Sequence, residues 1–585
     1  MESKRNSYIV SKALKSFVLA AILTSAVGQL ASVFDAVVLA QFVGSEAVSA
    51  LNLVLPVNLF ISCIGLLMAF GANALVARAI GHHDLKKAQA IFSTAIWSIL
   101  TLGVLFSLLM YLGLPAILRV IVDEPELRKL PAEYLSIYVL GAWLEMLSYA
   151  LCLFVATDGH PRRVTLAVFA GVVTNVAVDV LVVGWCEWGI QGVAVGTLAQ
   201  FTVNIVLLGL YLRHPSCSYR LLRPGAWLRK LFVKNVEEGA PITICNILMA
   251  LTLLLINNII FDAQADRGLF FWSICLQMLL LSIVFINGVM EALFAIGGVM
   301  VGEHDLRGFS LLAHKSLLTA GILVMLMMVL MWIPDVVGIM FGIEEHQEKE
   351  AVNHVLRIFS PMLLPFSLTL TLVSVYQSLE HMVLSVVIVV GQLAMIVLTL
   401  WLFASNAPAL VWYGFPLSAF LFLGAQLVYT YVSSRRQGCR VSGLTLIPYS
   451  EGGHSLNYSV AYRLEDVSAV LGQIVAFLEE MKVDKETVFN LNVCLEELMT
   501  NIAQHSTGRV VHHSFDVHVF VKDQHVRVTL KDGGHPFNPV LAGRSITSNL
   551  TDDENINFGV YLAANIIKDI SYKYMFGLNV VLIKV

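Results

Sequence analysis

Twelve apolar runs fill the first 435 residues, near 15–42, 48–80, 88–112, 132–156, 163–184, 190–212, 238–263, 267–298, 313–333, 355–378, 384–403 and 413–433. A hydrocarbon layer about 30 Å thick needs about 20 mostly apolar residues per helix. Each run meets or exceeds that length, so the pattern predicts an all-α polytopic membrane domain of twelve spans. From about residue 456 the pattern changes. Val467, Val470, Ile474, Phe477 and Leu478 recur at helical spacing within 466–482, and a second helix is expected over 488–505, with Thr487 as its cap. Alternation over 512–521 and 525–531 predicts two strands joined by a tight turn at Asp523-Gln524. A polar stretch follows, then a helix over 559–569 and a strand over 579–585. That order fits an α/β two-layer sandwich.

Composition sharpens the boundary. The 585-residue chain is 57% hydrophobic and 13% charged, with a mean hydropathy of +0.78 and a net charge of −4. Charged side chains make up about 11% of residues 1–450 and about 20% of 451–585. No Lys/Arg cluster suggests nucleic acid as a partner. The eight cysteines show neither disulfide nor zinc spacing. Lys4 and Arg5 precede an apolar run too long for a signal peptide, so the first span is expected to be retained.

With an inside N-terminus and twelve spans, twenty Lys and Arg fall on the inside segments and five on the outside ones. This bias predicts a multi-pass plasma (inner) membrane protein with both termini in the cytoplasm. Gly81-His-His-Asp-Leu-Lys86 is echoed by Gly302-Glu-His-Asp-Leu-Arg307, after the second and the eighth span. The echo predicts a duplicated six-helix unit, and six being even, the copies run parallel. The expected domains are 1–235, an N-terminal lobe with a basic connector at 213–234; 236–440, a C-terminal lobe; 441–459, a linker; and 460–585, a nucleotide-binding domain.

Polar residues in the apolar runs are candidate sites. A carboxylate in a span costs about 2.5–3.5 kcal/mol unless it faces protein, water or a cation. Asp35 lies deep in the first span. Asn175 and Asp179, four apart in the fifth, share a helix face. With Thr197 they form an oxygen-rich set for Na+ or for exchanged protons, and the residues leave that choice open. The second lobe offers Asn257, Asn258, Gln277, Asn287, Glu291 and Gln377, and Glu291 is expected either to face the cavity or to snorkel from a helix end. His381 and Glu380 read as a loop feature. Two lobes facing a central cavity can expose it alternately, as a secondary transporter requires.

In the tail, Glu497 and Asn501 share a helix face: Asn501 suits a phosphate-bound Mg2+, and Glu497 suits orienting or deprotonating a water or hydroxyl. Asp532, followed by Gly533 and Gly534, suits the exocyclic amine of adenine. Residues Asn538 through Asn557 read as a lid, and Asn557-Phe558-Gly559 opens a helix whose N–H groups favour phosphate. There is no G-x-x-x-x-G-K-[ST], so the ATP site predicted here is not a P-loop.

Phe34-Asp35, Val43-Gly44 with Ala50-Leu51, Gly71 through Arg78-Ala79-Ile80-Gly81, Asn175-Val-Ala-Val-Asp179 and Gly192-Val-Ala-Val-Gly-Thr197 together resemble the MATE multidrug and toxin extrusion family. The resemblance covers about the first 435 residues. It implies a two-lobe antiporter exporting organic, often cationic, compounds against H+ or Na+, with Asp35, Asn175, Asp179 and Thr197 matching the cation site of its DNA-damage-inducible branch. Glu291 departs from the family's uncharged residue. Residues 460–585 resemble the GHKL ATPase fold in its small anti-sigma-factor serine-kinase version. Glu497, Asn501 and His505 match its first box, Asp532 and Gly534 the adenine box, Gly559 and Leu562 the phosphate-side box, and Gly577 the last glycine. Asn579 stands where Thr is usual, and Gly559 lacks the common preceding G-x. No phosphoacceptor-histidine helix pair is present. That likeness implies ATP with Mg2+, and Glu497 as general base toward a serine of a cytoplasmic partner protein. The expectation is an ion-coupled antiporter regulated by ATP; the alternative is a transporter-derived sensor driving a serine-kinase or anti-sigma-like output.

Overall fold

The computed structural model describes residues 6–82, 84–121, 128–215, 217–225, 228–334, 336–341, 345–436, 445–448, 452–505, 514–539, 567 and 569–585. Among them, twelve helices are long and apolar enough to cross a membrane. Spans one to six are Tyr8–Phe42, Phe60–Gly81, Leu85–Leu112, Lys129–Thr157, Pro161–Trp185 and Ile190–Tyr211. Spans seven to twelve are Leu228–Ala265, Arg267–Gly302, Leu306–Trp332, His346–Ser378, Met382–Asn406 and Pro408–Arg436. The count and order match the hydropathy reading. Spans seven and eight join at Ala265, whose backbone (φ 51°, ψ −145°) breaks the helix.

The chain forms two compact units. The larger holds Val18–Val299 and Ser316–Ser433, and so most of the membrane helices. The smaller holds Ser434–Val585 together with Met1–Phe17 and Met300–Lys315.

The duplicated hexapeptide has a structural reason. In the first copy the Asp84 carboxylate accepts the Lys87 N–H at 3.0 Å; in the second, Asp305 accepts the Gly308 N–H at 2.9 Å. Each aspartate caps the helix that follows, satisfying an amide that the helix leaves without a partner. The stretch after span six is no loose tether. Tyr219 donates to the Phe154 carbonyl, Trp97 to Leu222, and Gln89 to Ser218, pinning 217–222 against spans three and four.

The smaller unit contains five antiparallel strands in the order β1-β2-β3-β5-β4. They are β1 His454–Ala461, β2 Ser514–Lys522, β3 His525–Asp532, β4 Asp569–Met575 and β5 Leu578–Lys584. Helices α1, Leu464–Glu480, and α2, Lys485–His505, cover one sheet face. Their core packs Val467, Ile474, Leu491, Leu495 and Leu498 against Val517, Val519, Val528, Leu530 and Val581. The sequence reading contains β2, β3, β5 and both helices but neither β1 nor β4, and Asp569, expected to end a helix, opens β4. The α2 cap is also corrected. Asp484 accepts the Thr487 N–H at 2.9 Å, so the helix starts a turn earlier than a Thr487 cap would allow, and Thr487 sits inside it. Asp523 and Gln524 do form the β2–β3 turn, both with positive φ (48° and 66°), the conformation that matches strand twist.

Candidate functional site

Asp35 and Asp179 meet inside the N-terminal lobe. The Asp35 carboxyl lies beside Asp179 and Asn175. Asp179 and Asn175 are fully buried. Asp35 Oδ1, both Asp179 oxygens, and both Asn175 Oδ1 and Nδ2 have no hydrogen-bond partner among the described residues. Two carboxylates accept and do not donate, so their contact becomes a hydrogen bond only when one holds a proton; otherwise it calls for a cation. Thr197 donates to the Val193 carbonyl at 3.0 Å, and Tyr134 lies between it and the cluster, with Asn58 and Asp35 also nearby. Two local features seat the pair. The helix of span five winds into a π segment, Val180–Trp185, directly after Asp179, and such wide turns recur at functional sites. Gly196 on span six lies so close that an added Cβ would fall 1.8 Å from Asp179 Oδ1. The donor set, two carboxylates with amide and hydroxyl oxygens, fits Na+ or a shared proton. Among the described residues no group of three or more His, Cys, Asp or Glu is placed to hold a metal ion.

Between the lobes, Glu291 on span eight lies beside Tyr149 and Cys152 of span four. It therefore faces the other lobe rather than snorkelling from a helix end. Asn287 sits four residues before it, about 40° away on the helix, and Gln277 falls on the same stripe. Asn257 is committed elsewhere, accepting the Trp272 indole N–H at 2.6 Å, and Asn258 is exposed.

Two features of this region are absent from the sequence reading. Glu145 lies on span four one turn before Tyr149, accepting Ser62 Oγ at 2.5 Å and Tyr138 OH at 2.6 Å. The second is an ion triad. Arg78, 7% exposed, reaches Glu238 Oε1 with Nη2 at 2.8 Å and Glu380 Oε1 with Nε at 3.0 Å. It ties span two to span seven and to the turn after span ten, so Glu380 is part of an interlobe tie as well as of a loop. Near it, Gly71 and Gly239 bring two backbones together: a Cβ on either would fall 1.9 Å from a carbonyl of the opposite helix, Asn235 or Leu67. Gln377 lines a narrow cavity here with Ala74, Phe294 and Gly298.

In the smaller unit Asp532 ends β3 opposite Asn579 of β5, on the face the helices cover. Asp532 Oδ1 accepts Tyr462 OH at 2.7 Å; Oδ2 accepts the Gly534 N–H at 3.0 Å and Asn579 Nδ2 at 3.1 Å. Burial, with the nearby Asp532 charge second, pushes the Tyr462 hydroxyl well above its usual range, which keeps it a donor. Asn579 also donates to the His535 carbonyl and accepts from Phe537 N–H and Tyr572 OH, fixing the glycine turn. This is what asparagine adds where the resembled family has threonine. Glu497 and Asn501 are half-buried on α2. Gly577 forms the β4–β5 turn, with φ +75°. Gly559 and Leu562, most of the lid and the His505 side chain lie outside the described residues.

The MatE family model matches residues 20–181, and the model for the histidine kinase-like ATPase domain matches residues 460–584. This chain joins a MatE domain to a histidine kinase-like ATPase domain. Its curated relatives include the multidrug export protein MepA of Staphylococcus saprophyticus, 26% identical over 239 residues, or 40% of this chain and 52% of the relative. MepA of Staphylococcus aureus is 24% identical over the same shares. The match thus spans about half the length of these relatives. Among solved structures, an outward-facing multidrug resistance MATE family transporter of the MOP superfamily aligns with a TM-score of 0.67 at 18% identity, covering 75% of this chain and 98% of that one. A MOP superfamily transporter from Pyrococcus furiosus aligns with a TM-score of 0.66 at 18% identity and the same coverage. The membrane domain has the MATE fold.

Proposed function

We propose that this protein is a multi-pass plasma-membrane antiporter that exports small organic compounds against an inward flow of H+ or Na+, regulated by ATP in a cytoplasmic domain. One observation carries the transport reading: Asp35 and Asp179 face each other inside the N-terminal lobe, and Asp35 Oδ1 and both Asp179 oxygens meet no donor among the described residues. Such a pair is costly unless it takes up a proton or cation, and an ion released on the other side supplies the driving force. Glu291, near span four of the facing lobe, and Asn287, one turn before it, are the substrate residues, and a carboxylate there favours cationic cargo. Glu145 adds a second acidic group on the opposing helix.

The tail binds ATP between the sheet and its helices: Asp532, oriented by Asn579 and Tyr462, takes the adenine amine, and Asn501 holds Mg2+. The cytoplasm, where ATP is plentiful, is the side on which this domain works, in agreement with the twenty-to-five charge bias. The same domain, resembling serine kinases, gives Glu497 the position of a general base.

The test is counterflow of a fluorescent organic cation in proteoliposomes under an imposed H+ or Na+ gradient. Wild-type protein is expected to couple the gradient to flux, and Asp35→Asn to lose that coupling while remaining monodisperse. Undiminished coupled flux in Asp35→Asn and Asp179→Asn would sink the reading.

A further inference from the structure

A two-layer domain with helices on one face of an antiparallel sheet commonly leaves its other face to water. Here that second face is buried as well: it is mostly polar along β1 to β3, apart from Phe520, and apolar along β5, where it carries Val580 and Leu582. Asn457, Asp516, His518, Thr529 and Lys531 are each at most 5% exposed. Part of what covers this face comes from elsewhere in the same compact unit. Lys531 Nζ lies 2.5 Å from Glu303 Oε2 and 3.7 Å from Asp305 Oδ2. The His304 ring stacks on Phe520 at 4.6 Å and 13°. His304 holds a positive φ of 62°, an uncommon conformation for a side chain of its size, and that turn presents the ring. From the N-terminal segment, Asn6 bonds Ser459 and Ser514, and Lys12 donates to the Gly533 carbonyl.

The two copies of the duplicated hexapeptide act as an internal control. Both have the capping aspartate, but Asp84 and Leu85 are exposed whereas Glu303, Asp305 and Leu306 are buried. They differ at their second position, His82 against Glu303, and at their sixth, Lys86 against Arg307. Of the residues that depart from the repeat, Glu303 is the one that meets Lys531.

Consecutive residues of a strand point to opposite faces. Lys531 meets the 302–307 turn, and Asp532, its neighbour, belongs to the nucleotide corner. Gly533, next along, is held by Lys12. Three successive residues at the end of β3 therefore touch the turn between spans eight and nine, the adenine-binding corner and the start of span one.

We infer that the β2–β3 part of this second face is a docking surface for the chain's own 302–307 turn, and that Lys531 is the positioning residue through which ATP at Asp532 acts on spans eight and nine. This rests on the proposed ATP-regulated antiporter. A ligand that moves Asp532 must move Lys531 with it, since one peptide unit joins them. Lys531 in turn holds two buried carboxylates that tolerate little displacement from their counter-charge. Span eight, which ends at this turn, bears Glu291.

The experiment compares flux of the full-length reconstituted protein with and without Mg-ATP on the side of the tail, and measures ATP affinity in the same preparation. Wild-type flux is expected to change by about 5-fold or more, within the usual range of allosteric coupling. Lys531→Met and Glu303→Gln should each abolish that change while ATP affinity stays within about 2-fold. His82→Ala, in the other copy, should preserve it. Nucleotide dependence that survives in both Lys531→Met and Glu303→Gln overturns the inference, as does its loss together with ATP binding, or an equal loss in His82→Ala. Wild-type flux indifferent to ATP would instead remove the regulatory reading itself, and this inference with it.

Discussion

Gly196 and Asp179 are in contact so close that a Cβ at position 196 would stand 1.8 Å from the nearest carboxylate oxygen, and Asp179 would have to shift to admit it. Span six therefore seats the carboxylate of span five with its own backbone. Gly196→Ala is expected to push Asp179 away from Asp35 and lower gradient-driven flux about 10- to 100-fold, as disturbing a ligand's support does elsewhere. Overpacking should also cost about 1–3 kcal/mol. Flux and thermal unfolding of the purified variant measure the two effects separately. Flux equal to wild type would show that Asp179 has room to move.

Arg78 balances two carboxylates from the opposite lobe. Arg78→Ala leaves Glu238 half-buried without its partner, and breaking a pair of this sort costs about 3–5 kcal/mol when it is fully buried and less here. The closed arrangement at this end should lose population. A cysteine placed at Ala74, beside the narrow cavity, should react faster with a maleimide in the Arg78→Ala background than in wild type. An unchanged rate would assign the triad to local stability alone.

Asn579 donates to Asp532 and to the His535 carbonyl, and accepts two further bonds. Asn579→Ala should weaken ATP binding about tenfold, the worth of about 1.4 kcal/mol of lost orientation. Asn579→Thr keeps a donor for Asp532 and should retain most of the affinity. Calorimetry with Mg-ATP on the full-length protein reads both.

Asp484 caps α2, the helix that carries Glu497 and Asn501. The hydrogen bonds from Thr487 hold the Asp484 carboxyl below its usual value. A depressed folded-state pKa adds stability above the unfolded value, near pH 4, and that contribution disappears as pH falls through the lowered one. Asp484→Ala should therefore exchange the Thr487 amide faster than wild type at neutral pH, and the difference should close below about pH 4. Hydrogen exchange resolved to the start of α2 checks this.

The spans were legible because lipid imposes a length, and Asp35 and Asp179 because a carboxylate within an apolar run is expensive. Glu145 escaped the same logic. Its partners Ser62 and Tyr138 give it a polar setting that no pattern around position 145 reports. The triad was illegible for another reason: Arg78 and Glu380 lie far apart in sequence, and no local pattern reports which distant charge a buried arginine meets. In the tail, β1 alternates Leu456, Tyr458 and Val460 with Ser455, Asn457 and Ser459, a strand pattern overlooked because it stood in an expected linker. That its polar side is covered could not be read at all, since alternation tells which residues share a face and not what lies against it.

The reciprocal approach of Gly71 and Gly239 is made by main chain alone. Where most helix crossings interlock, nothing at this one has to change rotamer before the helices part, and the small residues leave little greasy area to expose. The carbonyls of Leu67 and Asn235, released from their neighbours, are ready acceptors for incoming solvent. A seam of this kind costs little to wet and little to dry, which suits a barrier that must do both in every cycle.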